Sequence, residues 1–314
     1  MAYHVLRFFA GSDVGGRRTV NEDAAYAGPR LLAVADGLSG RPGGDIASAA
    51  AVRTLAALPF TTAPIRPGDA PSGPSDAASA GAAGPACDPA SALASGVAEI
   101  ASRLDELGRN DTRPAGTGTT LTAMAWDGSG FEVAHIGDSR AYLLRAGELV
   151  QLTRDHVLVR SGADGGGLSG NESDTAARPE AAAEETASVR ALQSGGDAKA
   201  DLFRHDAEPG DRYLLCSDGV SDHVAPEQIR ETLVRAATPA EAVFRLIDLA
   251  ADAGGHGDAT CVVADVVAAT REVPTEPLFV GAARGGGLRG RLAGLTRLGR
   301  RPRRRHRRPA ALAR

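Results

Sequence analysis

The chain has 314 residues, of which 43% are hydrophobic and 4% aromatic, so it can form one large domain or two small ones around a core of alanine, valine and leucine. Its formal net charge is −4, but residues 271–314 carry 13 arginines against two glutamates, a local charge of +11 that leaves −15 on the rest of the chain. An odd number of cysteines excludes a fully paired disulfide framework, and no apolar run approaches the roughly 20 residues of a membrane-spanning helix.

The cysteines and the N-terminus favour a reducing compartment. Cys216 and Cys261 lie in apolar, strand-like runs, where a free cysteine usually acts as a small hydrophobic residue. The third cysteine is Cys87, and three cysteines cannot all be paired in disulfides. The first residues lack the basic region, the long apolar run and the cleavage site of a signal peptide. We therefore expect a cytoplasmic protein.

In the first part of the chain, a buried strand ends in an acidic residue. The apolar run 31–35 leads directly into Asp36-Gly37, and a carboxylate at the end of a buried strand requires a partner. A hairpin would bring the polar loop before this strand beside Asp36. The predicted elements are an edge strand (5–10), the polar loop (12–23), the buried strand (31–36), a helix with Asp45 as its N-cap (45–58), a flexible insertion (59–90) and a second helix beside the first (91–108).

In the rest of the chain, the order of the elements indicates antiparallel sheets rather than alternating βαβ units. The predicted elements are strands (116–125 and 131–136), a hairpin (141–145 with 148–153), a mobile surface segment with one short helix (154–200), a strand (212–217), two helices with proline at their starts (226–236 and 239–253) and a final strand (260–267).

Aspartates recur at the ends of these strands, at Asp36, Asp138 and Asp218, and Asp258 precedes the final strand. Carboxylates about 4 Å apart repel by roughly 1–4 kcal/mol per pair, depending on the effective dielectric constant. Hard divalent cations relieve this repulsion, and a site made only of oxygen ligands favours Mg²⁺ or Mn²⁺ over zinc. Two such ions can generate a hydroxide at neutral pH, which suits hydrolysis of a phosphate ester whose oxygens are held by an arginine.

These residues belong to six blocks whose order resembles that of the metal-dependent serine/threonine protein phosphatases of type 2C, in their bacterial form. The resemblance covers about residues 5–268. The blocks are Ser12-Asp13-x-Gly15 leading to Arg18-x-x-Asn21-Glu22-Asp23; Ala35-Asp36-Gly37; Gly118-Thr119-Thr120; Ile136-Gly137-Asp138-Ser139-Arg140; Cys216-Ser217-Asp218-Gly219-Val220-Ser221-Asp222; and Asp258-Ala259-Thr260.

The resemblance implies an α+β fold, a four-layer αββα sandwich of two stacked antiparallel sheets flanked by helix pairs, with a binuclear metal cleft at one end. It implies a phosphatase domain over residues 1–270, followed by a disordered, arginine-rich tail over 271–314.

The resemblance also implies roles for individual residues. Asp36 would bridge two metal ions, the carbonyl of Gly37 would bind one of them, and Asp218 and Asp258 would bind the other. Glu22 and Asp23 would act mainly through metal-bound waters. Arg18, rather than Arg17, would bind the phosphate, and Asp138 and Asp222 would join Asp218 in a weaker third metal site.

The implied reaction is hydrolysis of phosphoserine and phosphothreonine in proteins by a metal-bridging hydroxide, without a phosphoenzyme. The implied cofactors are two Mn²⁺ or Mg²⁺ ions and a weaker third. The implied partners are phosphorylated proteins and a cognate serine/threonine kinase, and we expect a monomer.

The chain departs from the family pattern at three places. Leu38 stands where some members have a histidine that is a candidate general acid, Ala259 stands where an asparagine is frequent, and residues 160–189 do not match the usual flap. The divergent flap motivates an alternative, a catalytically weak member that binds phosphoproteins as a regulator.

Several features have a structural interpretation beside the functional one. Asp138 could cap its turn, His135 is expected to lie in the core or the cleft wall, His256 to be exposed, and Arg140 to form an ion pair within the sheet. The basic tail could be a solubilising extension, could dock on the acidic body, or could bind a polyanion or a membrane surface.

Overall fold

The structure is a computed structural model, and it describes residues 4–16, 18–38, 43–59, 88–110, 117–158, 187–188, 190–196, 199–269 and 276–284. Most of the predicted insertion, much of the predicted mobile segment and most of the predicted tail lie outside these residues, as do Arg17 and Cys87.

The described residues form strands and helices whose bounds largely follow the predicted order. The strands are β1 (His4–Asp13), β2 (Asp23–Ala27), β3 (Leu31–Asp36), β4 (Gly118–Thr119), β5 (Leu121–Trp126), β6 (Gly130–Ile136), β7 (Arg140–Arg145), β8 (Glu148–Gln151), β9 (Val157–Leu158), β10 (Ala187–Ser188), β11 (Leu192–Gln193), β12 (Asp201–Asp206), β13 (Arg212–Cys216), β14 (Ala259–Ala268) and β15 (Leu278–Gly281). The helices are α1 (Gly44–Ala56), α2 (Pro89–Asn110), α3 (Asp218–Ser221), α4 (Pro226–Arg235) and α5 (Pro239–Asp252).

Two antiparallel sheets contain most of these strands. The first sheet has the order β1-β14-β13-β7-β8, and the second has the order β12-β6-β5-β3-β2-β15. The predicted edge position of β1 is confirmed. The short strands β9 and β10 pair with each other, and β11 pairs with β4.

Three apolar clusters hold the layers together. One contains side chains from the facing sides of both sheets, such as Phe8 and Leu215 from the first and Val34 from the second. A second cluster joins the other face of the second sheet to α1 and α2, and a third joins the other face of the first sheet to α4 and α5. The predicted four-layer αββα sandwich is therefore confirmed.

Periodicity explains why α2 covers the second sheet. Leu93, Val97, Ile100 and Leu104 recur at helical spacing, and all of them are buried against the sheet, as the sequence predicts. In the part of the chain that the structure describes, no helix is both long and apolar enough to cross a membrane.

Several predicted elements need correction. Helix α1 has Gly43 at its N-cap, with a φ of 90°, so Asp45 lies in the first turn instead of capping the helix. The described part of 154–200 contains β9, β10 and β11, and the Ala/Glu-rich stretch that suggested a short helix lies almost entirely outside the described residues. The strand predicted as final is followed by β15, which pairs with β2, so the folded chain extends past residue 270 to at least Gly281.

Two cysteines face each other across the first sheet. Cys216 in β13 and Cys261 in β14 are directly paired in the strand register, and both are free and fully buried. The prediction that they act as small hydrophobic residues is confirmed, since both belong to the cluster under α4 and α5.

A buried ion pair fastens α4 to the first sheet. The Arg212 guanidinium donates to both oxygens of Asp265 at 2.6 and 3.1 Å. Its Nη1 donates to the carbonyls of Leu233 and Ala236 at 2.6 and 2.7 Å, which satisfies the C-terminal end of α4. Arg7 binds the same Asp265 carboxylate.

We expect Arg212→Leu to lower the free energy of unfolding by about 3–5 kcal/mol, because it leaves a buried carboxylate and two carbonyls without their main donor. Urea denaturation measures this loss. The matched control is Arg103→Ala, which breaks an exposed pair with Glu99 and should remove only about 0.3–0.5 kcal/mol. Equal losses in the two variants would contradict the assignment.

Candidate metal centre

The β2–β3 hairpin places two carboxylates opposite each other. In its register, Asp23 at the start of β2 pairs with Asp36 at the end of β3. The hairpin that the sequence predicts beside Asp36 is confirmed, and Gly37 follows with its amide bonded to the carbonyl of Glu22 at 3.1 Å. Both carboxylates therefore lie at the same end of the second sheet.

The Gly-Thr-Thr block holds the backbone of Asp36. The Asp36 amide donates to Thr120 Oγ1 at 3.0 Å, and the Asp36 carbonyl accepts from the Thr120 amide at 2.8 Å and from Thr119 Oγ1 at 2.9 Å. The main chain at Asp36 is thus fixed through three hydrogen bonds, and its carboxylate is left to face the cleft.

The first sheet contributes Asp218 and Asp258 from the adjacent ends of β13 and β14. A Cβ at Gly219 would lie 1.9 Å from the carbonyl oxygen of Asp258, so only glycine lets these two segments approach each other. The Asp258 carboxylate is buried and accepts from the amides of Glu22 at 2.8 Å and Gly15 at 3.2 Å.

A network of small hydroxyl groups joins the two sheets at this end. Ser217 Oγ donates to Asp23 Oδ2 at 2.7 Å and accepts from the Thr260 amide at 3.1 Å. Thr260 Oγ1 lies 2.6 Å from Ser12 Oγ, which also accepts from Asn21 Nδ2 at 2.8 Å. Sequence reasoning quoted these residues in its blocks but gave them no role, although each lies within two residues of an aspartate.

Burial and mutual repulsion raise the pKa values of the central carboxylates. Burial, with the Asp218 and Asp258 charges, raises the pKa of Asp23 to about 7, even though the hydroxyls of Ser217 and Thr260 oppose the shift. Burial and the neighbouring carboxylates of Asp23 and Asp218 raise the pKa of Asp36 well above its usual range.

Asp138 and Asp222 lie at the margin of this cluster. Asp138 is half-buried in the β6–β7 turn, and burial together with the Asp218 charge raises its pKa to about 6. Asp222 follows α3 and is 58% exposed at its side chain, with Arg140 Nη2 3.8 Å away. Burial and the Asp218 charge also raise the pKa of Asp222.

Arg18 lies within the acidic cluster. Its Nη1 forms an ion pair with Glu22 and another with Asp258 at 3.2 Å, and 28% of its side chain is exposed. Burial raises the pKa of Glu22. The Asp258 charge acts in the same direction, and together they outweigh the Arg18 guanidinium, which lowers this pKa. Arg18 therefore neutralises part of the cluster while keeping a face toward solvent.

The donor set suits a hard divalent cation. Among the described residues, no three His, Cys, Asp or Glu side chains already surround one point as a coordination shell. The cluster nevertheless consists of carboxylates that repel each other, the pKa values of Asp23, Asp36 and Asp138 are raised, and the side-chain ligand atoms are all oxygens. Mg²⁺ and Mn²⁺ are the ions that such a donor set binds.

Two structural interpretations from the sequence are confirmed, and a third is corrected in part. His135 is buried between Thr122 Oγ1 and the carbonyl of Arg154, each 3.0 Å from a ring nitrogen. His256 is exposed. Arg140 forms the predicted ion pair, but its partner Asp155 lies after β8 and not within the sheet; Nε and Nη2 donate to one carboxylate oxygen at 2.9 and 2.7 Å, and Nε also lies 3.1 Å from the other oxygen.

The sequence profile of the family described as "Protein phosphatase 2C" matches residues 16–251. The chain belongs to the protein phosphatase 2C family. It is 39% identical over 281 residues to the serine/threonine protein phosphatase PstP of Mycobacterium tuberculosis, across 90% of this chain and 49% of PstP. It is 30% identical over 236 residues to the serine/threonine phosphatase Stp of Listeria monocytogenes, across 75% of this chain and 84% of Stp.

Solved structures of the family share the fold. The catalytic domain of PstP, in complex with two manganese ions, superposes with a TM-score of 0.65 at 39% identity, over 84% of this chain and 99% of that one. The phosphatase MsPP from Mycobacterium smegmatis, in complex with cacodylate, gives 0.61 at 32% identity, over 83% and 98%. The chain spans about half the length of the curated PstP sequence.

The raised pKa of Asp23 predicts how pH changes stability when a chelator is present. A carboxyl group with a higher pKa in the folded state than in the unfolded state binds more protons when folded. The free energy of unfolding should therefore fall as pH rises from about 4 to about 7. Asp23→Asn should remove part of this fall and be more stable than the unmodified chain at pH 8.

Urea denaturation at pH 5 and pH 8 in a chelating buffer checks this prediction. Asp206→Asn is the control, because Asp206 is 86% exposed at its side chain and should leave the pH dependence unchanged. If Asp23→Asn and the unmodified chain lose the same stability between the two pH values, Asp23 is not the titrating group.

Proposed function

We propose that this chain is a Mn²⁺- or Mg²⁺-dependent phosphatase that hydrolyses phosphoserine and phosphothreonine in proteins. The observation that carries the proposal is the meeting of Asp23, Asp36, Asp218 and Asp258 at one end of the two sheets, with Arg18 among them. The names of the relatives, which are serine/threonine phosphatases, support the same reaction class.

In this proposal each acidic residue has a distinct position around the ions. Asp36 pairs with Asp23 in the strand register and has Asp218 as a charged neighbour, which supports its proposed role as the bridging ligand, and the Gly37 carbonyl follows it. The proposed ligands are Asp36, Gly37, Asp218 and Asp258 directly, Glu22 and Asp23 mainly through water, and Asp138 and Asp222 at a weaker third site. When bound, the ions would neutralise these carboxylates and supply a hydroxide nucleophile at neutral pH.

The residues around the carboxylates hold them in place for this chemistry. Thr119 and Thr120 fix the main chain of Asp36, so its carboxylate keeps one direction. Ser217 Oγ donates to one oxygen of Asp23, and the Thr260 hydroxyl also binds this carboxylate. Positioning by neutral hydroxyls restrains the carboxylates without supplying the positive charge that the ions would provide.

Arg18 is the proposed phosphate-binding residue. Its guanidinium is restrained by Glu22 and Asp258, yet part of it faces solvent. A planar guanidinium can donate two parallel hydrogen bonds to phosphate oxygens, which an ammonium group cannot match. Arg18 would therefore orient the phosphoryl group over the acidic cluster.

The partners and the compartment are part of the proposal. A phosphatase of this class would oppose a serine/threonine kinase, act in the cytoplasm and work as a monomer. The arginine-rich tail could contact a polyanion or a membrane surface, because its net charge of +11 attracts phosphate groups. Residues 285–314, which carry most of that charge, lie outside the described residues.

Metal-dependent turnover is the direct test. With excess Mn²⁺, the purified chain should hydrolyse an aryl phosphate and a phosphothreonine peptide, and a chelator should abolish both activities. Asp36→Asn should reduce kcat/KM by about 100-fold or more, because several kcal/mol of electrostatic stabilisation depend on the ions. Asp206→Asn is the control. No hydrolysis of either substrate would refute the proposal, and phosphopeptide binding without turnover would favour the regulator.

Arg18→Lys tests the phosphate-binding role. It keeps the charge but removes the bidentate donor, so kcat/KM for the phosphothreonine peptide should fall by about tenfold or more. The matched control is Arg103→Lys, on the exposed face of α2, which should leave the kinetics unchanged. A variant with unchanged kinetics at Arg18 would exclude this residue as the phosphate clamp.

A further inference from the structure

The turn between β6 and β7, residues 137–139, carries Asp138 and lies beside four consecutive residues that bind it and the strands on either side of it. These residues, 153–156, follow β8. Thr153 Oγ1 accepts from the Ala141 amide at 3.0 Å, the Arg154 carbonyl lies 3.0 Å from His135 Nε2, Asp155 pairs with Arg140, and the His156 amide donates to the Gly137 carbonyl at 2.8 Å.

His156 binds the turn a second time, through its ring. The Gly137 amide donates to His156 Nδ1 at 3.2 Å. Because Nδ1 accepts this hydrogen bond, the ring proton lies on Nε2, which donates to Asp201 Oδ2 at 3.0 Å. The ring also packs on the His135 ring, with the centroids 4.8 Å apart.

Asp201 anchors His156 to the second sheet. It lies at the start of β12, and its other carboxylate oxygen accepts from Arg190 Nη2 at 2.9 Å. The His156 side chain is 8% exposed, whereas the Asp201 side chain is 50% exposed. A continuous set of contacts therefore runs from β12 through Asp201 and His156 to the backbone of Gly137.

On the side away from His156, the turn packs against Thr120, which also binds the backbone of Asp36. Gly137 has a φ of 115°, and a Cβ there would lie 2.6 Å from the Thr120 side chain. Thr120 Oγ1 lies 2.7 Å from Ser139 Oγ and also accepts from the Asp36 amide. The position of Asp138 relative to Asp36 is thus set between Thr120 on one side and His156 on the other.

We propose that His156, oriented by Asp201, is a positioning residue that holds the Gly137–Ser139 turn so that Asp138 completes the weaker cation site beside Asp218. The inference rests on the proposed metal centre, but it assigns a task to two residues that touch neither the substrate nor the ions. Some residues do not touch the metal but hydrogen-bond to a metal ligand and orient it. Replacing such a residue lowers metal affinity by about 10–100-fold.

Variants of His156 separate the two hydrogen bonds of the ring. The amide of His156→Asn lies where Nδ1 does and can accept from Gly137, whereas the amide of His156→Gln lies where Nε2 does and reaches only Asp201. Asp201→Ala removes the anchor. Asp206→Ala is the matched control, because Asp206 ends the same strand and its side chain contacts Arg204 instead.

The test is calorimetric titration of the full chain with Mn²⁺. We expect a tight class of ions and a weaker one, with the weaker affinity about 10–100-fold lower in His156→Gln and Asp201→Ala, a smaller loss in His156→Asn, and no change in Asp206→Ala. The tight class should be unchanged in all four variants. Nitrogen-15 NMR of the unmodified chain should show His156 with its proton on Nε2.

The outcomes distinguish this inference from the proposed function. A chain that binds no Mn²⁺ refutes the metal centre itself. Three other outcomes would overturn the inference and leave the metal centre intact. The chain could bind only the tight ions, or the weak-site affinity could stay unchanged in the variants. The third is a greater loss of weak-site affinity in His156→Asn than in His156→Gln. If the His156 variants do not fold, Asp201→Ala and the NMR tautomer still decide it, since a proton on Nδ1 contradicts the geometry.

Discussion

The repulsion between buried carboxylates at the ends of the strands is the constraint on which the rest of the structure depends. Asp23 and Asp36 lie next to each other and to Asp218, and burial with the neighbouring charges disfavours the charged forms of Asp23 and Asp36. Such a cluster would spread apart if its supports were flexible. The two sheets resist this because an apolar cluster lies between them and a further one lies under each helix pair, and the carboxylates project from the ends of strands that those clusters hold on both faces.

The carboxylates are held by two kinds of contact. Asp258 is held by backbone amides and an arginine, whereas Asp23 and Asp36 are held by hydroxyl groups and by the main chain. Asp258 is held by the amides of Gly15 and Glu22 and by Arg18, so much of its hydrogen-bonding capacity is already used by the protein. Asp23 receives neutral hydroxyl groups, and Asp36 is held through its backbone and lies against other carboxylates, so these contacts bring no positive charge to either residue. A cation that enters this cluster would supply positive charge to the central residues, within a rigid frame at the rim.

The sequence predicted the parts of the fold that depend on local patterns and the parts of the site that belong to ordered blocks. Helix α2 was predicted because its apolar residues have a helical period, and Asp36 because a continuous apolar strand precedes it. Strand β12 was missed because it is a polar edge strand, and β2 because its alanines have low strand propensity. The partnerships of Thr120 with Asp36 and of His156 with Asp201 could not be predicted, since they join residues far apart in the chain.

The paired cysteines of β13 and β14 lie just behind the strand ends that carry Asp218 and Asp258. Burial raises the pKa of Cys216 to about 12 and raises that of Cys261 well above its usual range, so neither thiol forms a thiolate near neutral pH while it stays buried. An alkylating reagent can reach these sulfur atoms only when the first sheet and the helices packed on it separate or the sheet itself opens. Their rate of modification therefore reports the opening of the layer that carries Asp218 and Asp258, without any engineered label.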